Sequence, residues 1–138
     1  MKVVVYSIQT YEKKLLAIAN GKIHDLTLIS NELNEETKAY ALGKDVVIIS
    51  GSDTLQAPML RTLKNMGVGR ILTRTLGTAH IDLVEAGNLD MQVANTPYED
   101  QSPKGIAEQT IRNLNLWGSG RCVGTACRCL KECVVKFK

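Results

Sequence analysis

Five short apolar runs, separated by segments of helical period, set the tightest limit on what this chain can fold into. KVVVYSI (2–8), HDLTLI (24–29), DVVIIS (45–50), RILTR (70–74) and MQVANT (91–96) are strand-like, and the first and third are almost uniformly apolar. Such runs suit strands buried on both faces rather than strands with one wet face. TYEKKLLAIAN (10–20) reads as a helix, with Thr10 able to cap it, Leu15, Ile18 and Ala19 on one face, and Gly21 stopping it. NEETKAYAL (34–42) reads as a short helix with Glu35 and Glu36 in its first turn. SDTLQAPMLRTLKNMG (52–67) is the clearest helix: Asp53 can cap it, Gln56 stands three residues later, Pro58 lies in the first turns, and Leu55, Met59, Leu63 and Met66 form an inner stripe. DLVEAG (82–87) makes one or two turns capped by Asp82, and a last helix starts at Pro103. Strands alternating with helices across short loops imply an α/β fold. The expectation is a flavodoxin-like five-stranded parallel sheet, order 2-1-3-4-5, with helices on both faces.

The 138 residues suit one domain, and at 4% aromatic its core must be aliphatic. No apolar run is long enough to span a membrane. The start, MKVVVYSIQTYEKK, lacks the features of a signal peptide and reads as the first strand of a cytoplasmic protein. The net charge of +3 is unevenly spread: Arg121, Arg128, Lys131, Lys136 and Lys138 against Glu132 make the segment from residue 119 strongly basic and leave residues 1–118 near neutral. A body without a basic stripe and with few aromatics argues against a nucleic-acid partner. All four cysteines, Cys122, Cys127, Cys129 and Cys133, lie in the same tail. Their C-x4-C-x-C-x3-C spacing lacks the paired C-x2-C knuckles of structural zinc sites, so no metal site is expected.

In an open parallel sheet, ligands bind beyond the carboxyl ends of the strands. The loop after the fourth strand, Arg74 to His80, is the longest central one there. Free amides around Gly77 can cradle an anion such as a carboxylate; equally, Gly77 can simply turn the chain into the next helix. Arg74 can clamp an anion or hold the loop through carbonyls or Asp82. His80 reads as a loop or capping residue, and Asp53, like Asp82, as the cap of its own helix.

GVGRILTRTLGTAHIDLVEAGNLDMQVANTP (67–97) resembles a block of the NAD-dependent D-2-hydroxyacid dehydrogenases, especially their D-lactate dehydrogenase branch, and SPKGIAEQT (102–110) resembles the segment that follows it there. With the start of the chain, the resemblance covers roughly residues 1–116. It implies a substrate-binding domain over 1–101, an inter-lobe helix over 102–118, and a Cys/basic tail over 119–138 that does not match. It further implies that main-chain amides at Leu76 and Gly77 hold the carboxylate of a small 2-keto or 2-hydroxy acid, helped by Tyr98 and Arg74. PYEDQSP is slightly longer than the family spacing around that tyrosine. The family's catalytic arginine, acid and histidine, and its glycine-rich nucleotide turn, match nothing here. No catalytic residue and no cofactor are therefore expected in this chain, NAD belonging to the complete enzyme, and no turnover is expected from it alone. GSGRCVG (118–124) follows a helix rather than a strand and is not read as a nucleotide loop.

A rival reading is a stand-alone carboxylate-binding or protein-interaction module. It rests on an apolar helix face at 106–117 that would be exposed and would invite a homo-oligomer through that helix. A flavin-binding or phosphoacceptor domain fits less well, since Ser7 and Ser50 stand where a receiver domain needs acids.

Overall fold

The computed structural model describes residues 1–96, 100–121 and 123. Strands β1 (Lys2–Val5), β2 (Asp25–Leu28), β3 (Val46–Ile49), β4 (Arg70–Thr73) and β5 (Gln92–Ala94) form one sheet in the order β2-β1-β3-β4-β5. Every pairing is parallel, as the alternation of runs implied. Four helices accompany it: α1 (Thr10–Asn20), α2 (Ala57–Asn65), α3 (Leu83–Asn88) and α4 (Pro103–Gly118). Alternate side chains of each strand enter two separate cores. Val4, Val47, Ile49, Ile71 and Val93 pack with Leu60, Leu63 and Ala86 of α2 and α3. Val3, Val5, Val46, Ile48 and Leu72 pack with Leu16 of α1 and Ile111, Leu114 and Trp117 of α4. All four residues of β3 are buried. A strand covered on both faces gains burial from every residue, about 1.5–3 kcal/mol for each large aliphatic side chain.

Several expectations need correction. The cap of α1 is Gln9, not Thr10, and the Gln9 amide donates to Glu12 Oε1 at 2.9 Å. The inward stripe of α1 runs Glu12, Leu16, Asn20, with Leu15 and Ala19 packed against the same core as expected, whereas Ile18 is 68% exposed. The polar ends of that stripe are satisfied locally and across the fold: Asn20 exchanges two hydrogen bonds with the His24 main chain. Residues 34–42 form only a 3₁₀ turn, Lys38–Ala41. Asn34 Oδ1 accepts from the amides of Glu36 and Thr37, and Thr37 Oγ1 takes the Asn34 amide, so Glu35 and Glu36 sit in an Asx-type turn instead of a first helical turn. Helix α2 starts at Ala57 with Gln56 as its cap and Pro58 in its first turn. Leu55 lies before it, in a parallel bridge to Ile81, and Leu60 joins Leu63 in the inner stripe. Asp82 does cap α3, accepting from the Glu85 amide at 3.0 Å. The apolar face of α4 is not exposed: Ile111, Leu114 and Trp117 are all buried against the sheet and α1.

Candidate active-site loop

The carboxyl end of the sheet is built around two buried polar groups. Asp53, expected as a helix cap, is 1% exposed and ties three strand ends together. Its carboxylate accepts from Ser7 Oγ at 2.9 Å, from the Leu33 amide at 3.0 Å and from the Ser50 amide at 3.0 Å. A carboxylate taken out of water needs such donors, and main-chain amides supply them at no side-chain entropy. Ser7 adopts φ 58°, uncommon for a non-glycine residue. Its conformation is fixed from three sides: Asp53 takes its hydroxyl, Asn31 O takes its amide, and Arg74 donates to its carbonyl.

Arg74 is the second group. It is 8% exposed. It pairs with Glu12 at 2.8 Å and donates to the carbonyls of Tyr6 at 3.1 Å and Ser7 at 3.2 Å. The expected hold through carbonyls is present, with Glu12 as the acidic partner rather than Asp82. Arg74 therefore clamps the loop after β4 to β1 and α1, and its forked donors face inward. Its Nε is buried and unpartnered among the described residues, and the residue lines a small cavity with Ile8, Glu12, Leu16, Pro103, Ile106 and Ala107.

The carbonyls on either side of Arg74 are held by hydrogen bonds within the loop and from the segment after β5. Thr96 Oγ1 donates to the Thr73 carbonyl at 2.7 Å and the Thr96 amide to the Thr75 carbonyl at 2.9 Å. Asn95 Nδ2 donates to the Leu76 carbonyl at 2.8 Å, and Thr75 Oγ1 to the Gly77 carbonyl at 2.7 Å. Among the described residues, nothing accepts from the amides of Leu76 and Gly77. Leu76 is 57% exposed, so these donors stand at the surface of the loop. Gly77 does not use its conformational freedom, since its φ is not positive. Among the described residues, a Cβ placed on Gly77 would meet nothing within 4 Å. Two adjacent free N–H groups above a buried strand end can receive a carboxylate, each charge-assisted hydrogen bond contributing about 1.5–3 kcal/mol.

Leu76, Gly77 and Arg74 thus lie on one loop, with Arg74 beneath it. Tyr98 and all four cysteines fall outside the described residues. His80, whose pKa burial lowers below the usual histidine value, contacts Thr73 Oγ1 through Nε2 at 2.9 Å. Residues not singled out from sequence complete the frame: Thr73, Thr75, Asn95 and Thr96 hold the loop carbonyls, and Glu12 holds Arg74. For the four loop residues the only signal was two short triplets, TRT and ANT, each closing an apolar run; Glu12 had none. Among the described residues no group of His, Cys, Asp and Glu could hold a metal ion, and no helix is long and apolar enough to cross a membrane. Gly118 ends α4 and Gly120 lies just beyond it, and the turn from β1 to α1, Tyr6 to Gln9, contains no glycine.

Comparison with known proteins places this geometry. The family model for the catalytic domain of D-isomer specific 2-hydroxyacid dehydrogenases matches residues 3–127. A 2-hydroxyacid dehydrogenase homolog from Haemophilus influenzae is 34% identical over 112 residues, covering 80% of this chain and 33% of that protein. The apo structure of D-lactate dehydrogenase from Escherichia coli superposes with a TM-score of 0.68 at 35% identity, over 72% of this chain and 32% of that one. D-lactate dehydrogenase with NAD+ from Lactobacillus jensenii superposes with a TM-score of 0.64 at 29% identity, over 84% of this chain and 35% of that one. The chain spans about a third of the length of the curated relatives it matches. With its order of strands, its loop after β4 and the match over most of its length, this chain belongs to the D-isomer-specific 2-hydroxyacid dehydrogenase family.

Proposed function

We propose that this chain forms the substrate-binding wall of a D-lactate dehydrogenase-like enzyme, and that the amides of Leu76 and Gly77 seat the carboxylate of a small 2-keto or 2-hydroxy acid. The observation that carries this reading is the loop's division of labour: its carbonyls are held by Thr75 and Asn95 while, among the described residues, nothing accepts from these two amides. The residues described here bind and orient. Hydride transfer draws on a nicotinamide, and no residue of this chain is assigned to holding one. A cleft reaction requires both walls at once, since its rate depends on placing the two reactants in register. The 138 residues alone are therefore expected to seat the acid without turning it over.

The test is a titration of the ¹⁵N-labelled chain with pyruvate. Saturable shifts of the Leu76 and Gly77 amides are expected. They should vanish in Gly77→Pro, which removes one donor, while Gly77→Ala keeps the donor and meets no neighbour among the described residues. Saturable shifts centred elsewhere, or binding undiminished in Gly77→Pro, would refute the seat. NADH consumption with pyruvate by the pure chain would refute its inactivity.

A further inference from the structure

We infer that His80 is a positioning residue for this seat, acting through a chain of hydroxyl groups that ends on the Gly77 carbonyl. The inference rests on the proposed seat and adds the group that orients it. Three contacts make the chain: His80 Nε2 to Thr73 Oγ1 at 2.9 Å, Thr73 Oγ1 to Thr75 Oγ1 at 2.7 Å, and Thr75 Oγ1 to Gly77 O at 2.7 Å.

Counting hydrogens sets its direction. A carbonyl oxygen only accepts, so the single hydroxyl hydrogen of Thr75 points at Gly77. Thr75 must then accept from Thr73, because two oxygens at 2.7 Å with no hydrogen between them would repel. The Thr73 hydrogen is thereby committed, so Thr73 must accept from His80. His80 Nε2 consequently carries a hydrogen, which leaves Nδ1 as the bare nitrogen of the neutral ring. Each link polarises the next, and the last one holds the Gly77 carbonyl against the Thr75 side chain. The Gly77 carbonyl lies one peptide beyond the two free amides. Letting it swing would let the peptide planes of residues 76–78 rotate and would disperse the donors.

The chain is well anchored. Thr73 is fully buried at the end of β4. The His80 carbonyl accepts from the Leu55 amide at 2.8 Å, which pins the histidine to the segment leading into α2. Burial also disfavours the charged ring, so the neutral tautomer is the form to be tested near neutral pH.

Two readouts test this. The first needs no ligand. The ¹⁵N shifts of the His80 ring in the labelled chain should show the hydrogen on Nε2, and in Thr75→Val, which cannot accept from Thr73, that preference should weaken. A ring carrying its hydrogen on Nδ1 would overturn the inference whatever pyruvate does. The second compares pyruvate titrations. His80→Leu and Thr75→Val, at unchanged fold by amide spectra, should each weaken pyruvate by about tenfold, the worth of one hydrogen bond to a charged group. His80→Gln, whose Nε2 can donate from a similar position, should recover most of the loss. Equal affinity in His80→Leu, Thr75→Val and the unaltered chain would overturn the positioning role while leaving the seat standing. No binding at Leu76 and Gly77 in the unaltered chain would instead remove the seat, with the ring shifts still reporting on the hydroxyl chain.

Discussion

Single residues carry much of this fold's chemistry through partners far off in sequence. Tyr6 is fully buried at the end of β1, and its hydroxyl donates to the Thr37 carbonyl at 2.7 Å. Burial, with Asp53 and Tyr40 nearby, pushes the phenol up to about 12. The raised value means that the folded state favours the neutral phenol. Its contribution is complete below the ordinary value near 10 and is lost as pH rises from there through about 12, where an unfolded Tyr6 ionises first. Tyr6→Phe should cost about 1–2 kcal/mol at neutral pH, since the Thr37 carbonyl loses its donor. The gap between variant and parent urea midpoints should narrow above pH 10, and a gap constant across that range would contradict the assignment. Asp53 shows what stays hidden at this scale. An Asp with a Gln three residues later before a helix is also what a cap looks like. Only the fold brings Ser7 and Leu33 to its oxygens, across separations of 46 and 20 residues. Arg74 was half legible: its need for inward acceptors could be argued from its place at a strand end, but Glu12, 62 residues away, could not.

Elements were legible wherever burial is uniform. β3 and β4 follow directly from their apolar runs, and the αL glycine after α1 and the proline opening α4 stand where sequence placed them. The errors lie where a polar side chain outcompetes helix formation, as Asn34 does, or where a helix turns a polar residue inward, as α1 does with Glu12 and Asn20. One close approach was invisible beforehand. Ser102 caps α4, accepting from the Gly105 amide at 3.2 Å, and the chain at Asp100 folds tightly over that first turn. A Cβ on Gly105 would lie 2.3 Å from the Asp100 carbonyl oxygen. Backbone cannot swing aside as a long side chain can. Gly105→Ala is therefore expected to cost on the order of 1–3 kcal/mol despite alanine's better helix propensity. Amide exchange around 100–106 should quicken with it. A urea midpoint equal to or above the parent's would show that the segment has room to yield.

For the whole molecule the open question is how many cooperative units fold here. The family resemblance divides the chain at residue 101 and treats the helix after it as a connector between lobes. The packing of α4 argues for a closer union. Leu114 and Trp117 are buried in the same core as Val3, Val5 and Ile48. Asn113 Nδ2 donates to the Asn95 carbonyl at 3.1 Å, joining α4 to the end of β5 beside the proposed seat. Asn115 Oδ1 meets His24 Nε2 at 2.7 Å, and the Arg70 guanidinium lies 5.5 Å from the Trp117 ring centre. Links to β2's approach, to β4 and to β5 span the sheet from edge to edge, so α4 cannot leave without opening one whole face. Because Trp117 is the chain's single tryptophan, its fluorescence reports that face alone, while far-UV circular dichroism reports every element. The two signals should trace one urea transition with a common midpoint, as a two-state domain requires. Leu114→Ala, removing a fully buried side chain, should lower both midpoints together by about 2–5 kcal/mol of stability. A fluorescence change that precedes the loss of ellipticity, in parent or variant, would make α4 a separable connector. The proposed carboxylate seat, tied to α4 through Asn95 and Asn113, would then have to hold its shape without it.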